Sequence, residues 1–166
     1  MADISPEILA RAKKVKLLLM DCDGVLTDGR LYFGAAGEEL KVFHVRDGKG
    51  LVDWHAAGFG SGIISGRDSP IVELRGKQLG VEFIVQNCDD KEKAFNEILI
   101  ATGITADETA YIGDDVADVE VMNLAGFAIA VSDAHATAKS AADYITMTGG
   151  GLGAVRETTD LILATR

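Results

Sequence analysis

The chain has 166 residues, 48% of them apolar and 25% charged, an ordinary globular balance that excludes intrinsic disorder. A formal net charge of −10 argues against nucleic acid or an anionic membrane as partner, so an anionic substrate has to be met by a few placed cations or a metal. With Cys22 and Cys88 as the only cysteines, a disulfide framework and a cysteine-rich zinc site are excluded too, and a reducing cytoplasm is the expected setting.

In chain order, the opening Met1-Ala2-Asp3-Ile4-Ser5-Pro6-Glu7 lacks the basic and apolar regions of a leader peptide. No apolar run approaches the ~20 residues of a membrane span. Residues 16–21 read as a buried strand that ends in Asp21-Cys22-Asp23-Gly24-Val25-Leu26-Thr27-Asp28. Residues 29–45 then read as a β-hairpin, with strands around Leu31-Tyr32-Phe33 and Leu40-Lys41-Val42-Phe43 joined by a glycine-containing turn over 34–38. Beyond it, helices are predicted over 48–57, 70–79, 91–102, 116–125, 134–141 and 153–164. Strands are predicted over 60–65, 83–86, 110–113, 127–131 and 144–146. Within 116–125, Val116, Val119, Met122 and Leu124 recur near helical spacing and are expected inward. Gly58, Gly80, Gly103 and Gly126 sit where helices end, as a left-handed terminal residue requires. The alternation predicts an α/β fold: a Rossmann-like, mainly parallel sheet with helices on both faces, in one domain over 1–166. The hairpin at about 29–45 is its only insertion.

Four places carry chemistry. Asp21 and Asp23 lie at the carboxyl end of a buried strand, where α/β folds place their ligands. Two carboxylates so close repel unless a cation lies between them or one is protonated. Ser65, in Ser65-Gly66-Arg67, ends the next strand, as a phosphate-facing hydroxyl or as an ordinary turn. Lys91 opens a helix against the helix dipole, which an anion partner explains and a solvated face also accommodates. Asp114, Asp115 and Asp118 follow the fourth sheet strand, 110–113, with no local cation. They suit a hard-cation site or serve as helix caps, a role open to Asp115 in particular.

The ordered series Asp-x-Asp, Ser, Lys, Asp-Asp, each at the end of a successive strand, resembles the four motifs of the haloacid dehalogenase superfamily of aspartate-dependent phosphohydrolases. Asp23-Gly24-Val25-Leu26-Thr27-Asp28-Gly29, Val45-Arg46-Asp47-Gly48, Gly113-Asp114-Asp115 and the segment from Gly150 through Gly153-Ala154-Val155-Arg156-Glu157 resemble its cap-less phosphatases of 3-deoxy-D-manno-octulosonate (KDO) 8-phosphate. Leu152 departs from that pattern, standing where such enzymes often carry arginine. The resemblance implies Asp21 as nucleophile and Asp23 as general acid and base. It also implies Mg²⁺ held by the carboxylates of Asp21 and Asp114 and the main-chain carbonyl of Asp23, and phosphate held by Ser65 and Lys91. Asp115 is then expected to orient Lys91, Asp118 to support the metal, and Arg67, Arg46 and Arg156 to meet a sugar-acid phosphate.

A nine-carbon sugar-acid 9-phosphate is the competing substrate, and Arg67, in place of an acidic residue, favours the eight-carbon one. A receiver-type signalling domain would carry its phosphoacceptor after a middle strand, and a non-catalytic phosphate-binding relative has no reason to keep Asp23. The apolar hairpin face (Leu31, Phe33, Leu40 and Val42) and the missing cap predict a homotetramer whose neighbours complete each active site. The glycine run over 149–153 is expected to act as a flexible strap carrying Arg156 toward a site.

Overall fold

The structure, a computed structural model, describes residues 4–166; Met1, Ala2 and Asp3 of the segment read for a leader lie outside them. The central sheet has the order β5-β4-β1-β6-β7-β8 and is parallel throughout. Its strands are β1 (Leu17–Met20), β4 (Gly60–Ile64), β5 (Phe83–Val85), β6 (Thr109–Gly113), β7 (Phe127–Ala130) and β8 (Tyr144–Ile145). β2 (Tyr32–Gly34) and β3 (Gly37–Leu40) form a separate antiparallel hairpin. The helices are α1 (Pro6–Lys14), α2 (Val45–Ala56), α3 (Pro70–Leu79), α4 (Lys91–Thr102), α5 (Val119–Leu124), α6 (Ala136–Ala141) and α7 (Ala154–Leu163). Among the described residues none is long and apolar enough to cross a membrane.

β1 is a continuous apolar run because both its faces are covered, with Leu17, Leu18, Leu19 and Met20 all fully buried. It pairs with β4 on one side (Leu17 opposite Gly60) and β6 on the other (Leu17 opposite Thr109). The chain moves outward from β1 to β4 to β5, then returns to β6 on the far side of β1. Right-handed crossovers therefore put α2 and α3 on one face and α4, α5 and α6 on the other. Helices α1 and α7 join the first group by packing α7 on α2 and α1 on α7. The strand order reverses between β1 and β6, which opens a crevice at their carboxyl ends.

Several boundaries differ from those predicted, each for a physical reason. α1 escapes the periodicity reading because it buries little, only Ala12 lying inside, although Ser5 caps Ile8 N at 3.3 Å and Pro6 begins the helix. α2 begins three residues earlier than expected, at Val45, with His44 Nδ1 accepting from Arg46 N. Its glycines are tolerated because Gly50 lets α7 approach closely: a Cβ there would lie 2.9 Å from Arg156 Cα. Residues 116–118 form a separate 3₁₀ turn before α5. Val116 and Leu124 consequently face solvent, while Val121 and Met122 are buried. Gly58, Gly80 and Gly103 are left-handed as expected, but Gly126 is not. There the missing side chain admits the Asp107 backbone, which lies 2.5 Å from where a Cβ would stand.

The hairpin register is shifted as well. β3 ends at Leu40, so Lys41, Val42 and Phe43 lie beyond the strand. The glycine run over 149–153 is a packed turn and not a flexible strap. Gly150 N donates to Asp133 Oδ1 at 2.9 Å, Gly151 N to Val25 O at 2.9 Å and Gly153 N to Asp47 Oδ2 at 3.2 Å. A Cβ on Gly150 would sit 1.7 Å from Gly24 O. Its glycine is a matter of close approach: the loop after β1 rests directly on this turn.

Candidate active site

The strand-end loops converge at the crevice. A cavity of about 180 Å³ is lined by Asp21, Asp23, Ser65, Gly66, Arg67, Lys91, Asp114, Asp115 and Ala117. All four motifs predicted from the chain therefore meet at one place. A larger groove, about 690 Å³, runs along the outer side of α4 between Asp89, Asp90, Glu92, Glu97 and Glu120. It is open and acidic and away from these groups, so the smaller cavity is the candidate site.

The loop after β1 is tied down by its own backbone, since Cys22 O accepts from Val25, Leu26 and Thr27 N. Gly24 is left-handed (φ +93°), and a Cβ there would lie 2.0 Å from Asp114 Oδ2. The turn is thus shaped to let the β1 and β6 loops touch. Asp21 Oδ1 accepts from Cys22 N at 2.6 Å, and its Oδ2 faces Lys91 Nζ at 3.1 Å. Burial raises the Asp21 carboxyl to about 6, against the lowering effect of Lys91 and with a further push from Asp118. Cys22 is fully buried, and burial pushes its thiol far up, which makes it a packing residue.

Asp118 is the hub of the β6 loop. Its Oδ1 accepts from Lys91 Nζ at 2.8 Å and from Tyr111 Oη at 2.7 Å. Its Oδ2 accepts from the main-chain nitrogens of Asp114 (3.0 Å) and Asp115 (3.1 Å). Asp118 thereby takes the place by Lys91 expected of Asp115, and Asp115 keeps the capping role that was also open to it. Asp118, fully buried, orients Lys91, while exposed Asp115 caps the 3₁₀ turn through Val116 N at 2.8 Å. A fixed loop needs a buried acceptor for its amides, and Asp118 is the acid that the turn points inward. Burial alone would lower the Lys91 ammonium, but Asp21 and Asp118 outweigh it and the net shift is upward, so Lys91 is charged.

Asp21, Asp114 and Asp118 offer oxygens within 4.8 Å of one another. With both Asp118 oxygens engaged, Asp21 and Asp114 remain. Among the described residues Asp114 Oδ1 is buried without a hydrogen-bond partner. Burial, then Asp21, Asp118 and Asp115, raise the Asp114 carboxyl to about 8. An orphaned carboxylate oxygen beside a second carboxylate fits a hard divalent cation.

Asp23 is held by residues that the strand-end motifs do not include. Lys41 Nζ hydrogen-bonds Asp23 Oδ1 and lies 3.1 Å from Glu38 Oε1. Arg67 Nε stands 3.4 Å from Asp23 Oδ2, and Arg67 Nη2 is 3.8 Å from Glu38 Oε1. Arg67 also lies over the Phe33 ring at 5.8 Å. Ser65 is buried, its Oγ accepting from Arg67 N at 3.3 Å. Nothing in the local pattern of Leu40-Lys41-Val42 distinguishes Lys41 from a solvated hairpin lysine; only the fold turns it inward.

Two expected substrate contacts are not at the cavity. Arg156 bonds Asp160 at 2.7 Å and pairs with Asp53 at 3.8 Å across the α2–α7 contact. Arg46 is exposed in the first turn of α2 and is not part of the lining. Neighbouring carboxylates capture the first, and the α2 start, set by His44, points the second outward.

Residues 70–152 match the family model of haloacid dehalogenase-like hydrolases. The chain is 42% identical over 160 residues to the 3-deoxy-D-manno-octulosonate 8-phosphate phosphatase of Salmonella typhimurium, a match covering 96% of this chain and 85% of that one. The crystal structure of the Yersinia pestis phosphatase of the same name superposes with a TM-score of 0.96 at 41% identity, covering 98% of this chain and 88% of that one. The Moraxella catarrhalis phosphatase, solved in complex with magnesium, phosphate and KDO, gives 0.95 at 41% identity, covering 98% and 94%. A parallel sheet with an acidic switch point, four motifs converging there and likeness along nearly the whole length lead to one assignment: the chain belongs to the haloacid dehalogenase-like hydrolases.

Proposed function

We propose that this chain hydrolyses KDO 8-phosphate to KDO and phosphate, using Mg²⁺ and an aspartyl-phosphate intermediate. The observation that carries the reading is the meeting of Asp21, Lys91 and partnerless Asp114 Oδ1 in one small cavity. Asp21 attacks phosphorus as the bond to the sugar oxygen breaks, and Asp23 gives the leaving alkoxide a proton. Asp23 then takes a proton from the water that hydrolyses the intermediate. Ser65 and Lys91 hold the non-bridging oxygens, where transition-state charge is greatest. The carboxylates of Asp21 and Asp114 and the main-chain carbonyl of Asp23 would hold Mg²⁺, which would supply the positive charge a carboxylate needs to approach a phosphate dianion.

The cavity of about 180 Å³ is well below the roughly 300–1,000 Å³ of small-molecule sites, so it takes the phosphoryl group and leaves the sugar acid outside. Arg67, at the mouth and partly exposed, offers a planar fork to the sugar carboxylate. In a panel of phosphate esters, kcat/KM for KDO 8-phosphate is expected to exceed that for nine-carbon sugar-acid 9-phosphates by about tenfold or more. The reverse order would overturn the substrate assignment while leaving the phosphatase reading in place.

The working form is a cytoplasmic homotetramer, without nucleic-acid or membrane partners. Its support is the hairpin, which exposes Leu31 (44%), Phe33 (61%), Leu40 (51%) and Val42 (51%) beside a site over which the described residues fold no cap domain. A two-stranded ribbon with an apolar face gains from packing against copies of itself, and doing so would close the open side of the cavity. Light scattering is expected to give four times the chain mass; a monomer at micromolar concentration would refute the assembly.

A further inference from the structure

Lys41 is the most deeply buried cation of the hairpin: its side chain is 1% exposed, although the residues on either side, Leu40 and Val42, are half in solvent. Burying a long ammonium side chain costs rotamer entropy and hydration, which only good acceptors offset. Its Nζ hydrogen-bonds Asp23 Oδ1 and forms an ion pair with Glu38 Oε1 at 3.1 Å. Both partners are carboxylates, and together they hold the ammonium in place. Glu38 is itself held by Ser69 Oγ, which ties the hairpin to the start of α3.

The two oxygens of Asp23 are thereby made different. Oδ1 accepts from Lys41 and from Thr27 Oγ1 at 3.4 Å. Oδ2 is buried with no hydrogen-bond partner among the described residues, since the Arg67 Nε–H, 3.4 Å away, makes no hydrogen bond to it. A proton on Oδ1 would be set against an ammonium; on Oδ2 it meets no donor in line with it.

We infer that Lys41 is a positioning residue, fixing Asp23 so that Oδ2 is the oxygen that carries the proton. This rests on the phosphatase reading above. In the first step the Oδ2 proton passes to the bridging oxygen as the phosphorus–oxygen bond breaks and the bond to Asp21 forms. In the second, Oδ2 takes a proton from the attacking water as the Asp21–phosphorus bond breaks. The hairpin, besides offering an apolar face, thus reaches into the proton-transfer step.

The experiment compares Lys41→Met and Lys41→Arg with the unaltered protein on two substrates. KDO 8-phosphate expels an alkoxide that needs the proton, and 4-nitrophenyl phosphate expels a phenolate that hardly does. The ratio kcat/KM reports the steps up to expulsion of the leaving group. Lys41→Met is expected to lower kcat and kcat/KM on the sugar phosphate together by about 100-fold, while kcat/KM on the aryl phosphate falls by no more than about threefold. Lys41→Arg is expected to recover the sugar activity to within about tenfold. Equal losses on both substrates, no loss on either, or a rise in KM with kcat unchanged would each overturn the assignment. Should Lys41→Met not fold, Lys41→Gln gives the same comparison. An unaltered protein that releases phosphate from neither substrate would overturn the phosphatase reading itself.

Discussion

Asp21→Asn is expected to abolish phosphate release, lowering kcat by about 10⁴-fold or more, and to leave a folded protein. The loss follows from placement: Asp21 is the carboxylate that closes β1 at the switch point and faces Lys91 across the cavity. An amide is no nucleophile toward phosphorus. The fold survives because Asn is isosteric and its carbonyl can keep the bond from Cys22 N, while Lys91 keeps Asp118 at 2.8 Å. The substitution also removes a charge that burial and Asp118 already disfavour, so the melting temperature should hold. Phosphate-release assays beside a thermal melt check both halves, and turnover above a few per cent would sink the nucleophile assignment.

Chelation is expected to have the next largest effect: activity falls by about 100-fold or more in EDTA and returns with Mg²⁺. Ca²⁺ should not restore it, because its larger and looser shell spoils the geometry of attack. Full activity after exhaustive chelation would rule the scheme out. A second readout needs no turnover. Without a cation, burial and neighbouring acids hold the Asp21 carboxyl at about 6 and the Asp114 carboxyl at about 8, above the ~4 of a free aspartate. A raised carboxyl pKa favours the folded state below about pH 4, and that contribution is lost as pH rises through 6 and then 8. A divalent cation replaces the missing protons, so the rise in melting temperature on adding Mg²⁺ should be larger at pH 8.5 than at pH 5. Equal rises at both pH values would mean that Asp21 and Asp114 do not hold the ion.

The α/β alternation, the boundaries of α3 and α4, and the gathering of Asp21, Asp23, Ser65, Lys91 and Asp114 were all readable along the chain. Each depends on local rules. A strand buried on both faces is an unbroken apolar run, a helix announces its cap, and a parallel sheet delivers its strand ends to one edge. Once the strands are placed, the residues that follow them must meet, whatever the side-chain details.

What the tertiary structure decided are the pairings between distant segments. Asp115 and Asp118 are the same residue type in one short turn, and only the packed loop shows that Asp118 takes Lys91, Tyr111 Oη and two main-chain amides. Lys41 reads as an ordinary hairpin lysine until the hairpin folds back over Asp23. Arg156 reads as a substrate contact until Asp53 and Asp160 come beside it. Gly150 reads as a hinge until Gly24 O is found where its side chain would be. Local pattern specifies where strands and helices run and which residues close their ends. The partner a charge finds, and the distance at which two backbones meet, depend on contacts far apart in the chain that no local pattern encodes.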